Sequence, residues 1–371
     1  MPTNSIRNIL KVVGINLSLT IFILGILIII PAGWSDISNL YGHKIKALSE
    51  KNHSGSGYNI PNYDNQPWIG DLYYESDSLK TRYYDFIGWR RKAFSGKTIT
   101  IDENGFRRHS SKAIRPEDAE VWVFGGSTIW GTGSPDEFTI PAILEKITGE
   151  STFNFGEGGY VAHQSLNLLM RQYVAGGKPK TVIFYDGVND VSHKCRTELG
   201  FYSTEHEQDF RERIESGDSK FLSLLKPVIK PFTRERFGNG KHWFDCHLNT
   251  EKSNLIAKNL VQDWLIAKNL VEANGGRFIP VLQPVSHIGK PNNSYLKSSR
   301  GPMLKLQYES IYPRVKEELK KRNVEYFDLT NIFDSQEKIY IDFCHVTPSG
   351  NQKIASAIAN LMSRGGSRRT E

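Results

Sequence analysis

The chain has 371 residues, 39% of them hydrophobic and 23% charged, enough to bury a full core and more than one small domain requires. Its formal net charge is +7, yet lysines and arginines alternate with acids in "FRERIESGDSK" and "VKEELKKR" and form no stripe. Phosphate affinity needs clustered cations, so this dispersal argues against a nucleic-acid partner.

The first predicted element is an apolar helix. "VVGINLSLTIFILGILIII" runs between Lys11 and Pro31, and about 19 residues span roughly 28 Å as a helix, close to the hydrocarbon thickness of a bilayer. Its polar members Asn16, Ser18 and Thr20 are uncharged. The run is long for a signal peptide and "PAGWSD" is a poor cleavage site, so residues 9–31 read as an uncleaved transmembrane anchor. Arg7 and Lys11 place the short segment 1–8 in the cytoplasm, and Lys44 and Lys46 weaken that orientation without reversing it. The remainder is expected on the periplasmic or another exoplasmic side, with the membrane as a partner through this helix.

Residues 32–66, which include "SEKNHSGSGYNIPNYDNQ", are polar, lack periodicity and read as a tether. Residues 67–115 form an aromatic lead-in extension in which "KTITID" alternates like a strand and "ENG" supplies a turn. Trp68, Tyr73, Tyr74, Tyr83, Tyr84 and Trp89 suit packing against the main domain, with stacking on sugar rings as the alternative.

Residues 116–363 alternate short apolar runs with helix-length amphipathic segments, the pattern of a parallel sheet covered by helices on both faces. The runs are "VWVFGG", "TFNFG", "TVIFYDG", "RFIPVLQP" and "VEYFDL"; the segments are "FTIPAILEKIT", "HQSLNLLMRQYV", "NLIAKNLVQDWLIAKNLVEAN", "LQYESIYPRVKEELKKR" and "SGNQKIASAIANLM". This predicts a three-layer α/β/α domain on a five-stranded parallel sheet. "LIAKNLV" occurs twice at an offset that does not return to one helical face, so it reads as a duplication inside one long helix. Insertions near 191–249 and 285–304 follow strands and are expected to form a lid or substrate wall over the ligand crevice of such a sheet, with a surface excursion that forms no lid as the alternative, while 364–371 is a basic tail. Of three cysteines, Cys195 and Cys246 fall in the first insertion and are the candidate disulfide in an oxidising compartment, with three free thiols as the alternative. Cys344 is expected as a buried, inert thiol pointing away from its neighbour His345.

Ser127 follows the first strand through Gly125 and Gly126, which leave its hydroxyl unobstructed at the edge where ligands bind. A serine hydroxyl is a weak nucleophile until a base takes its proton. In "IDFCHVTPSGN" the three-residue spacing of Asp342 and His345 lets the carboxylate hold one imidazole nitrogen and leaves the other for Ser127. Oxyanion donors are available at two more strand ends: a backbone N–H among Gly156, Gly158 and Gly159, and the side-chain amide of Asn189. A capping turn and an Asx turn are the respective structural alternatives. Trp130, His163 and Gln164 are candidates for lining a pocket, a helix start being the alternative for the last two. "HKC" at Cys195 and "DCH" at Cys246 come nearest to metal-ligand spacing without matching it, and neither a metal nor a cofactor is expected.

In this order "GGSTIWG", "NFGEGG", "GVND" and "DFCH" resemble the blocks of the SGNH, or GDSL-type, serine hydrolases, and the resemblance covers roughly Thr98 to Met362. It implies a flavodoxin-like sheet, with Ser127 as nucleophile, His345 as base and then acid, and Asp342 as orienting carboxylate. It further implies an oxyanion hole from the N–H groups of Ser127 and Gly159 and the amide of Asn189; Gly159 is taken because it stands five residues after Asn154, as the family block requires. Gly126 departs from the pattern by occupying the aspartate position of the GDSL signature, so support of the serine turn is expected to differ. The resemblance implies serine ester hydrolysis and says little about substrate; with the membrane anchor, the expected activity is removal of a small acyl group, acetyl in the first instance, from a carbohydrate, lipid or envelope polymer. An O-acyltransferase using the same residues and a non-catalytic glycan-binding or scaffold module are the alternatives.

Overall fold

Apolar strand runs and the glycine turns after them decide this architecture. The structure, a computed structural model, describes residues 66–108, 114–199, 243–296 and 301–366, with residues 16, 18, 20, 63, 204, 207, 208 and 211 as isolated positions. The expected anchor over 9–31 and tether over 32–66 therefore lie almost entirely outside the described residues. Among the described residues no helix is long and apolar enough to cross a membrane.

The lead-in begins with helix α1 (Ile69–Ser78), followed by an antiparallel hairpin of β1 (Thr81–Tyr84) and β2 (Gly88–Arg91) and a short pair, β3 (Phe94–Ser95) with β4 (Thr100–Ile101). The "KTITID" run thus contributes only two residues of strand. The hairpin was not legible, because "TRYY" and "GWRR" do not alternate apolar with polar residues.

The main sheet contains β5 (Val121–Gly125), β6 (Thr152–Asn154), β7 (Thr181–Asp186), β8 (Arg277–Leu282) and β9 (Phe327–Asp328), all parallel, in the order β6-β5-β7-β8-β9. Every residue of β5 and β7 is buried. A strand covered on both faces reads as an unbroken apolar run, which explains why these two were visible in the letters. Alternation then sorts the side chains. Val121, Val123, Ile183, Tyr185, Ile279 and Val281 face one core with α3 (Ile140–Thr148) and α8 (Pro348–Gly366). Trp122, Phe124 and Phe184 point to the other face, where Phe124 stacks on Phe155 at 4.5 Å and meets Phe184 at 5.2 Å.

The remaining helices are the single turn α2 (Ser127–Trp130), α4 (Ala162–Val174), α5 (Val188–Lys194), α6 (Thr250–Ala273) and α7 (Gly301–Lys321). The duplicated "LIAKNLV" lies within the 24 residues of α6, which starts where the Asn249 side chain accepts the Lys252 N–H at 2.9 Å. Helix α8 continues to Gly366, beyond the expected start of the tail. Because β6 and β7 flank β5, the chain reverses its winding direction at β5 and β7, and the crevice of such a sheet opens outside their carboxyl ends.

Candidate active site

Ser127 is the first residue of α2, which follows β5, and Gly126 between them lacks the β-carbon whose space a neighbour occupies. An ideal Cβ on Gly126 would lie 2.4 Å from Asn189 Nδ2. The Asn189 amide thus packs against the serine turn, and its Nδ2 also donates to the Tyr160 carbonyl at 2.8 Å. An amide nitrogen carries two protons, so one remains to donate. Gly159 sits between these elements with φ of 80°, a conformation glycine adopts without strain. Among the described residues, no group accepts a hydrogen bond from the N–H of Ser127 or of Gly159.

The loop before α8 folds into a tight turn closed by a bridge between Tyr340 and Val346 and by the Ile341 N–H donating to the His345 carbonyl at 2.9 Å. Asp342 Oδ1 accepts the N–H groups of Cys344 at 2.8 Å and His345 at 2.7 Å, an Asx turn that fixes the carboxylate. Its Oδ2 lies 2.5 Å from His345 Nδ1, and His345 Nε2 lies 2.7 Å from Ser127 Oγ. Ser127, His345 and Asp342 therefore form one continuous hydrogen-bonded row. A Ser286 N–H donating to the Phe343 carbonyl at 2.9 Å holds the turn to the loop after β8.

Burial opposes the charge on Asp342, but the adjoining His345 and the two N–H donors outweigh it and hold the carboxyl at about 2. Burial likewise opposes protonation of His345, yet Asp342 raises the imidazole well above its ordinary value. Cys344 does not point fully away as expected, since its Sγ lies 3.7 Å from His345 Nδ1. It is buried, and burial pushes the thiol up to about 11, so it is neutral near pH 7. Donor atoms of Asp342, Cys344 and His345 gather within 4.8 Å, but the Asp342 to His345 hydrogen bond already occupies that space.

The three pocket-lining candidates have these surroundings. Trp130 is 3% exposed and lies under the lead-in, with the Arg107 guanidinium 4.4 Å and the Arg91 guanidinium 5.2 Å from its ring. Gln164 is buried, accepting the Val161 N–H at 3.3 Å and donating to the Ile87 carbonyl at 3.0 Å, which makes it a helix cap tied to the hairpin. His163 is turned toward α6, where its Nδ1 lies 3.0 Å from Asp263 Oδ1, and that hydrogen bond raises its pKa. Cys195 and Cys246 are joined as a disulfide, with Cα atoms 5.2 Å apart.

A further residue escaped the letters. Gln283, at the end of β8, donates to Thr128 Oγ1 at 2.7 Å in a buried contact and so steadies the residue after Ser127. A glutamine after a strand carries no sequence signal of that role.

No family model matches the sequence, and no curated protein does either. Among solved structures it is similar to a member of the lipolytic G-D-S-L family from Veillonella parvula, at 13% identity and TM-score 0.39 over 66% of this chain and 98% of that one. An acetyl xylan esterase is similar at 14% identity and TM-score 0.38, over 65% and 98%. A carbohydrate acetylesterase from Sinorhizobium meliloti is similar at 13% identity and TM-score 0.37, over 66% and 98%.

Proposed function

We propose that the protein is a serine ester hydrolase of the SGNH type that removes a small acyl group, acetyl in the first instance, from a carbohydrate or envelope polymer. The observation that carries the reading is the unbroken row from Ser127 Oγ through His345 to Asp342 at the crevice of the sheet. In this reading His345 takes the serine proton as Ser127 attacks the ester carbonyl, and Asp342 stabilises the imidazolium that results. The N–H groups of Ser127 and Gly159 and the free amide proton of Asn189 receive the developing oxyanion. The imidazolium returns its proton to the leaving alcohol, leaving an acyl-enzyme on Ser127. Water activated by His345 then releases the acid.

The polymer substrate and the exoplasmic location are supported by the uncharged apolar run between Lys11 and Pro31 and by the Cys195–Cys246 disulfide, a bond that persists in oxidising compartments. The deciding experiment incubates the full-length chain in detergent with a chromogenic acetyl ester and a serine-directed phosphonate. Wild type is expected to turn over and to be labelled on Ser127. Equal turnover and labelling of Ser127→Ala would overturn the assignment, and addition of a sugar alcohol separates release to water from transfer to an acceptor.

A further inference from the structure

We propose that the lead-in layer is part of the active site, positioning the nucleophile turn through Arg107 and the loop bearing the Gly159 N–H through Glu157. This rests on the hydrolase reading and adds to it two positioning residues outside the hydrogen-bonded row.

The Arg107 side chain is completely buried, and a buried guanidinium is strongly unfavourable unless its donors are used. Its donors are spent mainly on the exit of α2. Nη1 donates to the carbonyls of Trp130 at 3.2 Å and Gly131 at 2.7 Å, and Nη2 to that of Ser134 at 2.7 Å. Nε pairs with Asp136 at 2.8 Å, and Nη2 also reaches the Thr98 carbonyl of the layer at 3.4 Å. A cation at the carboxyl end of this one-turn helix satisfies carbonyls that the helix itself leaves open. The opposite end of that same turn is Ser127, so movement of Arg107 moves the nucleophile.

Glu157 is the counterpart on the next strand end. It is fully buried; its Oε1 accepts the Gly158 N–H at 2.8 Å and lies 3.3 Å from Arg91 Nε, while Oε2 accepts the Arg91 N–H at 3.0 Å. Strand β2 adds Trp89 Nε1 donating to the Gly158 carbonyl at 2.9 Å and Arg90 Nη2 donating to the Gly156 carbonyl at 3.3 Å. Tyr160 returns its hydroxyl to the Trp89 carbonyl. Residues 156, 157, 158 and 160, on either side of Gly159, are thus fastened to β2. Simple packing needs apolar contact; this arrangement directs charged and polar groups at the two segments that must hold their geometry during acyl transfer.

The test measures steady-state kinetics of Arg107→Lys and Glu157→Gln in the full-length chain, with active sites counted by the final stoichiometry of phosphonate labelling. The expected result is a kcat per labelled site lower by about tenfold to a hundredfold, KM within about twofold, and an unchanged pH midpoint. Arg108→Ala, which among the described residues removes only the partly exposed pair to Asp102, is expected to match wild type. Wild-type kcat per labelled site in both variants would overturn the proposal. So would failure of both to fold, because the roles would then be structural. Absence of Ser127 labelling in wild type sinks the hydrolase reading instead.

Discussion

His345 Nε2 reaches Ser127 Oγ across 218 residues of sequence, at 2.7 Å. Two carboxyl-end features of the sheet create the meeting: β5 delivers the serine, and the turn before α8 delivers the imidazole. Ser127→Ala and His345→Ala are each expected to lower kcat by on the order of 10³-fold to 10⁶-fold while leaving the melting temperature close to wild type. Ester turnover with parallel thermal melts checks this. A His345→Ala variant with wild-type kcat would remove the base from the mechanism.

The pH profile follows from the same row. Asp342 raises the pKa of His345, so the neutral base is lost as pH falls and the acid limb is expected above the ordinary imidazole value of about 6.5. Asp342→Asn removes the carboxylate. It should therefore shift the limb to lower pH while reducing kcat, by about 10⁴-fold where the wrong tautomer results. A limb that stays in place in Asp342→Asn would show that another group titrates.

Much of the fold and of the candidate site was legible because the signals are local. The two central strands are covered on both faces and so are written as apolar runs, and the Asp342 to His345 contact spans only one turn of chain. The surroundings of Trp130, Gln164 and His163 were not legible for the opposite reason. Their environment is supplied by Arg107 and Arg91, by the Ile87 carbonyl and by Asp263, which lie in distant segments. The hairpin β1–β2 follows the same rule: its residues acquire burial from the loop at Gly156 to Tyr160, and nothing nearby in sequence announces it.

Gly126 also shows what a block pattern leaves out. The position is glycine here because Asn189 occupies the space of a side chain, with 2.4 Å to an ideal Cβ. Gly126→Asp, which introduces the aspartate of the GDSL signature, is expected to push the Asn189 amide away and lower kcat by on the order of 10²-fold, the scale of losing one oxyanion donor. Kinetics on the folded variant test it. Undiminished kcat would show that the amide can move aside without consequence.

The Cys195–Cys246 bond closes a loop with a sequence separation of 51. In the chain-entropy picture a loop of that size contributes about 4 kcal/mol to stability. Cys195→Ser with Cys246→Ser is expected to lower the melting temperature measurably. Reductant should do the same to wild type and nothing to the double variant; identical melts with and without reductant would show that no bond forms.

Asp186 makes a separate prediction about stability. It ends β7 fully enclosed, with one carboxylate oxygen accepting the Trp264 indole N–H at 3.2 Å and the other without a partner among the described residues. Burial, then the charge of Asp190, pushes its carboxyl well above the usual range, although nearby Lys194 acts in the other sense. The folded state therefore keeps this proton longer than the unfolded chain, whose aspartate titrates near about 3.9. Linkage sets the sign: this group's contribution to stability declines as pH rises from about 4 toward its folded value. Asp186→Asn carries no such proton, so its melting temperature should gain on wild type as pH increases through that window. Melts of both proteins from about pH 4 to pH 9 would show the two curves diverging, and parallel curves would mean that Asp186 ionises in place, compensated by Lys194.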